Sequence, residues 1–230
     1  DRIAFQADAA NTRAIPIRVR NAEPFQLPPG GARIVELGSR RLRRTHARPR
    51  YDVAFLGHMC YDEITPFNGE ATVAPGSAVL CGAMAAAAIG KRVAAIVKMA
   101  ETDEAILQSM RDAGVDVYVI PAAVTTWSKV VHDVPDLDSR KLSIVRDAGR
   151  ILFEEMPDID VSRLHLAGIS DREFDMALIE ALARRGYKLS VDMQSFVRQV
   201  NPTTGEVSFG DVPEKARIAR LADKLKLDAL

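Results

Sequence analysis

The sequence has little of what would tie it to disulfide, metal, membrane or polyanion chemistry. It holds two cysteines, Cys60 and Cys81, too few for a disulfide framework and in no metal-ligand spacing. Isolated thiols of this kind fit a reducing, cytoplasmic setting. The longest weakly polar stretch, residues 73–90, is too short and too rich in alanine and glycine to span a bilayer. No charged–apolar–small signal opens the chain, which starts at Asp1 rather than Met and is expected to be processed, trimmed or a fragment. Net charge is zero over 230 residues, so the total favours no partner of either sign. Phosphate-loop signatures are missing as well. Neither G-x-G-x-x-G nor G-x-x-x-x-G-K-[ST] occurs, and Gly82 is followed by Ala83 and Met84.

What is present divides near residue 50. Residues 1–50 carry 11 arginines, no lysine and four acids, a local charge of +7; the rest carries −7. That first segment holds Pro16, Pro24, the turn "LPPGG" and the run "SRRLRRTHARPR", with no sustained helix or strand period. It reads as a poorly ordered basic extension. Its rival reading, an arm for nucleic acid, is disfavoured because no aromatic residues interleave the arginines.

From Tyr51 an α/β rhythm begins. "YDVAFLG" and "KRVAAIVKM" are short apolar runs of the kind buried in parallel sheets, and "VDVYVIP" is a third. Between them lie a small-residue helix over 77–89 and a second over 102–114, with Thr102 expected as N-cap and Gly114 as C-cap. The segment "EITPFNGEATVAPG" predicts an edge excursion of short strands. Residues 125–149 alternate polar and apolar around "PDLD" and predict a β-hairpin projecting as a lid. Later, "RILFEEM" and "SRLHLAGI" flank a turn, 171–186 is an amphipathic helix ending at Gly186, and 187–194 is a strand. A last helix is expected over 213–224, then the start of a strand in "LKLDAL". Alternating strands and helices of this kind build a mostly parallel sheet flanked by helices.

In such a sheet, ligands bind beyond the carboxyl ends of the strands. Three places qualify. After the first strand come His58 and Asp62. A carboxylate at Asp62 either accepts hydrogen bonds from a polyhydroxylated ligand or caps a turn, and His58 reads as a half-buried or loop histidine, no nucleophile accompanying it. The second is the turn at Gly76 and Ser77, where the backbone can approach a ligand closely, while Ala83 and Ala85–Ala88 let the helix lie close to the sheet. The third is "VDMQSFVR", where Gln194 offers hydrogen bonds and Arg198 pairs with an anion or with Asp192.

These stretches together resemble the PfkB (ribokinase-like) carbohydrate kinase family. The order "FLGHMCYDEI", "APGSAVLCGAMAAAAIGKRVAAIVKMAETD", "TTWSKVVHDVPDLDSRKLSIV" and "SVDMQSFVR" is similar to the family's, closest to its inositol- and nucleoside-kinase-like members, over residues 51–230. The resemblance implies a three-layer α/β/α fold with a small β lid. It implies ATP- and Mg2+-dependent phosphorylation of a hydroxyl on a sugar, cyclitol or nucleoside, and a homodimer through the lid. It carries substrate contacts onto Asp62, Gly76, Ser77, Gln194 and Arg198. The family's Gly-Gly pair is Gly76-Ser77 here and a common asparagine is Cys81, which leaves the substrate open. No "G-A-G-D" stretch, source of the family's base and anion hole, occurs; Asp228 would open the "N-x-x-E" motif that organises donor and magnesium. The chain is thus expected to be the substrate-binding, C-terminally truncated part of such a kinase, inactive alone. The rivals are a non-kinase α/β enzyme or binding domain and a protein whose basic arm binds nucleic acid.

Overall fold

Every residue of Val93–Met99 is buried, as a strand covered on both faces requires. The computed structural model describes residues 49–136 and 138–210, with the backbone of 228–229. In chain order come β1 (Arg50–Tyr51), β2 (Val53–His58), β3 (Cys60–Thr65), β4 (Thr72–Gly76), α1 (Ala78–Ala88) and β5 (Val93–Met99). A 3-10 turn (Glu101–Leu107) runs into α2 (Gln108–Asp112), followed by β6 (Asp116–Pro121), β7 (Thr126–Val131) and β8 (Lys141–Arg146). After a 3-10 turn at Phe153–Glu155 come β9 (Asp160–Val161), β10 (Leu164–Leu166), α3 (Met176–Arg184), β11 (Leu189–Val191) and α4 (Gln194–Val197). The last elements are β12 (Arg198–Val200), β13 (Val207–Phe209) and β14 (Asp228–Ala229).

Six strands form the central sheet in the order β14-β11-β10-β2-β5-β6, every pair parallel. Alternate residues feed two cores. Leu56, Ile96, Leu164 and Leu166 pack with Ile179 and Leu182 of α3 on one face. Val93, Ala95 and Val97 pack with Val79 and Ala83 of α1 and Met110 of α2 on the other. The α/β/α layering and the mostly parallel sheet are as the rhythm predicts. The basic extension and the helix over 213–224 lie outside the described residues.

The expected hairpin is present and larger than predicted. β3–β4 and β7–β8 are antiparallel pairs, and β3 joins β7 in parallel, giving a four-stranded second sheet β4-β3-β7-β8. A further hairpin, β12–β13, docks on its edge. Ser143 bridges Glu206, and the Ile144 N–H donates to the Gly205 carbonyl at 2.8 Å. Nothing in the alternation of 198–209 had announced it.

Three local expectations are corrected. Thr102 is not an N-cap: the turn starts at Glu101 behind Ala100, whose N–H donates instead to Thr125 Oγ1 at 3.1 Å. The helix over 171–186 begins only at Met176, where Asp175 accepts the Leu178 N–H at 2.8 Å. Residues 171–175 stay in a loop because Glu173 is used elsewhere, as described below. Of the alanines, Ala83 is buried and Ala86 and Ala87 are partly so, whereas Ala85 and Ala88 face outward. The close approach of α1 to the sheet comes mainly from two glycines. A Cβ at Gly82 would meet the Phe55 ring at 2.5 Å, and one at Gly57 would collide with the Ala167 carbonyl and lie 2.9 Å from a Val79 methyl.

Because the obstacle at Gly57 is backbone of the neighbouring strand, it cannot turn aside. Gly57→Ala is expected to cost about 1–3 kcal/mol, the usual range for overpacking a tight core. Urea unfolding measures it, and an unchanged midpoint would show that β2 and β10 are not held this close.

Candidate functional site

The carboxyl ends of β2, β10 and β11 meet at one edge of the central sheet. At that edge β2 leaves the sheet through His58 and the buried Met59, and the chain continues as β3 of the lid. His58 is 1 % exposed, and both ring nitrogens are bonded: Nε2 to the Gly149 carbonyl at 2.8 Å and Nδ1 to Thr126 Oγ1 at 2.9 Å. A carbonyl only accepts, so Nε2 carries a proton, and Nδ1 is paired with the threonine hydroxyl. Thr126 in turn accepts the Ala148 N–H at 3.1 Å. His58 is a structural clasp at the root of the lid.

A buried carboxylate sits behind it. Glu173 accepts the His58 N–H at 3.0 Å, the Ser170 N–H at 3.2 Å and the Ile169 N–H. Burial pushes its pKa up, opposed by His58 and the three backbone donors. Beside it, Lys98 at the end of β5 donates to the Arg150 carbonyl and to Glu155 Oε1, both at 2.8 Å. Sequence reading missed both groups, since a single Glu in an amphipathic run looks like a solvated helix face.

Asp62, Gly76 and Ser77 come together where β3 and β4 run antiparallel, Asp62 opposite Ala74 and Cys60 opposite Gly76. Asp62 Oδ1 accepts from Ser128 Oγ at 2.5 Å and from Cys60 Sγ at 3.4 Å. Oδ2 lies where a side chain at position 76 would stand, so only glycine fits there. Burial first, then Asp62, push the Cys60 thiol well up, which keeps it a neutral donor. Ser77 caps α1 by accepting the Leu80 N–H at 3.0 Å. Its backbone stands at φ 148°, ψ 161°, a region nearly confined to glycine.

Gln194 and Arg198 lie at the exit of β11. Asp192 takes the Gln194 N–H at 3.0 Å and its side-chain amide, leaving the Gln194 Oε1 as an acceptor. Among the described residues Arg198 forms no ion pair with Asp192. Its Nη1 reaches the Ile169 carbonyl at 3.5 Å, and its Nε is buried with no hydrogen-bond partner among the described residues. Burial, then the charge of Arg140, hold its pKa below the usual arginine value. No described hydrogen bond joins this pair to Asp62. Asp228 lies in β14, opposite Ser190 of β11. Among the described residues no group of three His, Cys, Asp or Glu side chains is placed to hold a metal ion.

No family profile and no curated protein matches the chain. Solved structures do. A pyrophosphate-dependent kinase in the ribokinase family, in a sulfate complex, aligns with TM-score 0.66 and 25% identity over 72% of this chain and 57% of that one. Another structure of a pyrophosphate-dependent ribokinase-family kinase, bound to a pyrophosphate analogue and myo-inositol, gives 0.64, 24%, 72% and 57%. A probable sugar kinase from Rhizobium etli gives 0.51, 17%, 64% and 57%. The chain therefore has the ribokinase-like fold that its motifs resemble, and it spans a little over half the length of these structures.

Ser77 and Glu173 each yield a stability test. Ser77→Gly removes a strained backbone worth about 1–3 kcal/mol at the cost of a few tenths for the cap, so stability should hold or rise. Ser77→Ala keeps the strain and loses the cap, lowering stability by about 1 kcal/mol. Urea unfolding separates the two, and equal losses would refute the strain. A carboxyl whose folded pKa is raised contributes most when protonated, below its unfolded value of 4.5, and loses that contribution as pH rises through the folded value. Glu173→Gln cannot titrate, and its amide would face the His58 N–H. The wild-type advantage over Glu173→Gln should therefore be largest below pH 4.5 and shrink as pH rises above it; an advantage that grows with pH contradicts the assignment.

Proposed function

We propose that the chain is the acceptor-binding part of a kinase that phosphorylates a hydroxyl of a sugar, cyclitol or nucleoside. The observation that carries this reading is Oδ2 of Asp62, which has no protein donor among the described residues and stands at the seam between the lid and the carboxyl edge of a ribokinase-like sheet. A fixed carboxylate oxygen accepts from hydroxyl donors, and the missing side chain at Gly76 makes the room in which the carboxylate stands. Ser77, Gln194 and Arg198 are assigned to the same ligand, Gln194 through its remaining acceptor and Arg198 through its guanidinium group. That myo-inositol accompanies one of the similar structures favours a cyclitol among the three classes.

Transfer itself needs an in-line donor and stabilisation of the moving phosphoryl charge. The described residues supply neither a metal cluster nor a "G-A-G-D" stretch, so this chain is given the acceptor side alone and expected to be inactive by itself. ATP with Mg2+ is the donor we propose for the complete protein, with pyrophosphate as the alternative because two of the similar structures are of pyrophosphate-dependent kinases. No described helix is long and apolar enough to cross a membrane, and the buried free thiol of Cys60 suits the cytoplasm we propose for it. Pairing of two copies through the lid is favoured by Val73 and Val145, half or more exposed on its strands.

The test is a screen of the full-length protein over sugars, inositols and nucleosides, with ATP and with pyrophosphate. Phosphorylation of one polyol class is expected. Asp62→Ala should raise the acceptor KM at least about tenfold, the loss of one charge-assisted hydrogen bond, with donor KM unchanged. No turnover of any acceptor, or equal effects on donor and acceptor, would overturn the assignment.

A further inference from the structure

Ser128 is 2 % exposed on β7, opposite Asp62 across the parallel β3–β7 ladder, and its hydroxyl is one donor to Asp62 Oδ1. The Cys60 Sγ also lies 3.4 Å from that oxygen, but its single proton is shared with the Tyr61 carbonyl at 3.3 Å. Among the described residues the Ser128 hydroxyl is therefore the one firm donor that holds the Asp62 carboxyl. Among the described residues Oδ2 has no protein donor, and it is turned to the one position on β4 without a side chain. We infer that Ser128 is a positioning residue which holds Oδ1 of Asp62 and thereby fixes the orientation in which the carboxyl group meets the ligand.

Two physical points support this. The donor belongs to the lid hairpin while the carboxylate stands on the strand that leaves the central sheet, so the orientation of Asp62 depends on β7 lying in register against β3. A β-strand residue also sets its side chain by pleat. Thr126 and Ser128 share one face of β7, and the first holds His58 while the second holds Asp62. One strand face thus fixes both polar groups at the root of the lid. The inference rests on the polyol reading of Asp62.

The experiment is a double-mutant cycle on the full-length protein, with myo-inositol as the probe in titration calorimetry. Ser128→Ala should weaken binding about tenfold, and Asp62→Asn by at least as much. Adding Ser128→Ala to Asp62→Asn should then change binding less than about twofold, because the serine acts only through the carboxylate. An equal loss in both backgrounds, or no loss from Ser128→Ala alone, overturns the positioning role. A crystal structure of Ser128→Ala gives a readout that needs no ligand: the Asp62 carboxylate should turn away from Gly76, and an unchanged carboxylate overturns the inference. If Asp62→Asn leaves binding unaltered, the polyol reading falls instead, while the carboxylate orientation in Ser128→Ala still decides the role of Ser128.

Discussion

The carboxylate of Glu173 is the group on which the geometry of the candidate site depends. A parallel sheet ends in backbone N–H groups that have no further strand to bond, and buried N–H groups must find acceptors. Here two chain exits, after β2 and after β10, converge, and one side chain accepts from His58 on the first and from Ile169 and Ser170 on the second. The main chain of Glu173 also accepts the Ile151 N–H at 3.0 Å, which ties in the segment returning from the lid. Burying a carboxyl is costly, and its raised pKa records that cost. Three donors and the facing His58 offset it. The arrangement also explains why α3 starts late, since Glu173 in a helix could not reach three separate backbone groups.

From Glu173 the constraint spreads outward through short polar links. His58, held by its N–H, uses its ring to fix Thr126 and Gly149 at the base of β7 and beyond β8. The 169–173 loop reaches the other way: Asp171 accepts the Val200 N–H at 3.1 Å and gives its own N–H to the Arg198 carbonyl at 3.0 Å. β12 therefore starts in a fixed place, and its hairpin closes against β8. The lid sheet is attached to the core at its root by His58 and at its far edge by β13.

The layering was legible because burial on both faces writes itself as uninterrupted apolar runs. "VAFLG", "RVAAIVKM" and "VDVYVIP" could be little else, and Gly90, Gly114 and Gly186 mark the helix ends with the positive φ that favours glycine. The lid hairpin was legible from alternation around "PDLD". Asp62 and the Gly76–Ser77 turn were legible as a pair through family resemblance, and they do adjoin. What could not be read were polar partners far apart in sequence. Glu173 lies 115 residues from the His58 N–H it holds, and Ser128 lies 66 residues from Asp62. Composition and period carry no trace of such pairings. The β12–β13 hairpin escaped for a different reason: its strands are three residues each and half exposed, too short for a period to show.

The small-residue helix shows how local and tertiary requirements share one sequence. Its alanines give it helical propensity but little of its contact with the sheet, which Gly82 and Gly57 make through the ring of Phe55 and the strand beside it. Its first residue carries the conflict. A glycine at position 77 would satisfy the backbone, whereas a serine satisfies the free N–H of Leu80 and also meets Met59 Sδ at 3.7 Å. The chain keeps the serine and accepts the strained dihedral directly beside the Asp62 carboxyl group. Strain of about 1–3 kcal/mol persists only where the surroundings over-determine it. Here they do, through the β3–β4 ladder on one side and the α1 cap on the other.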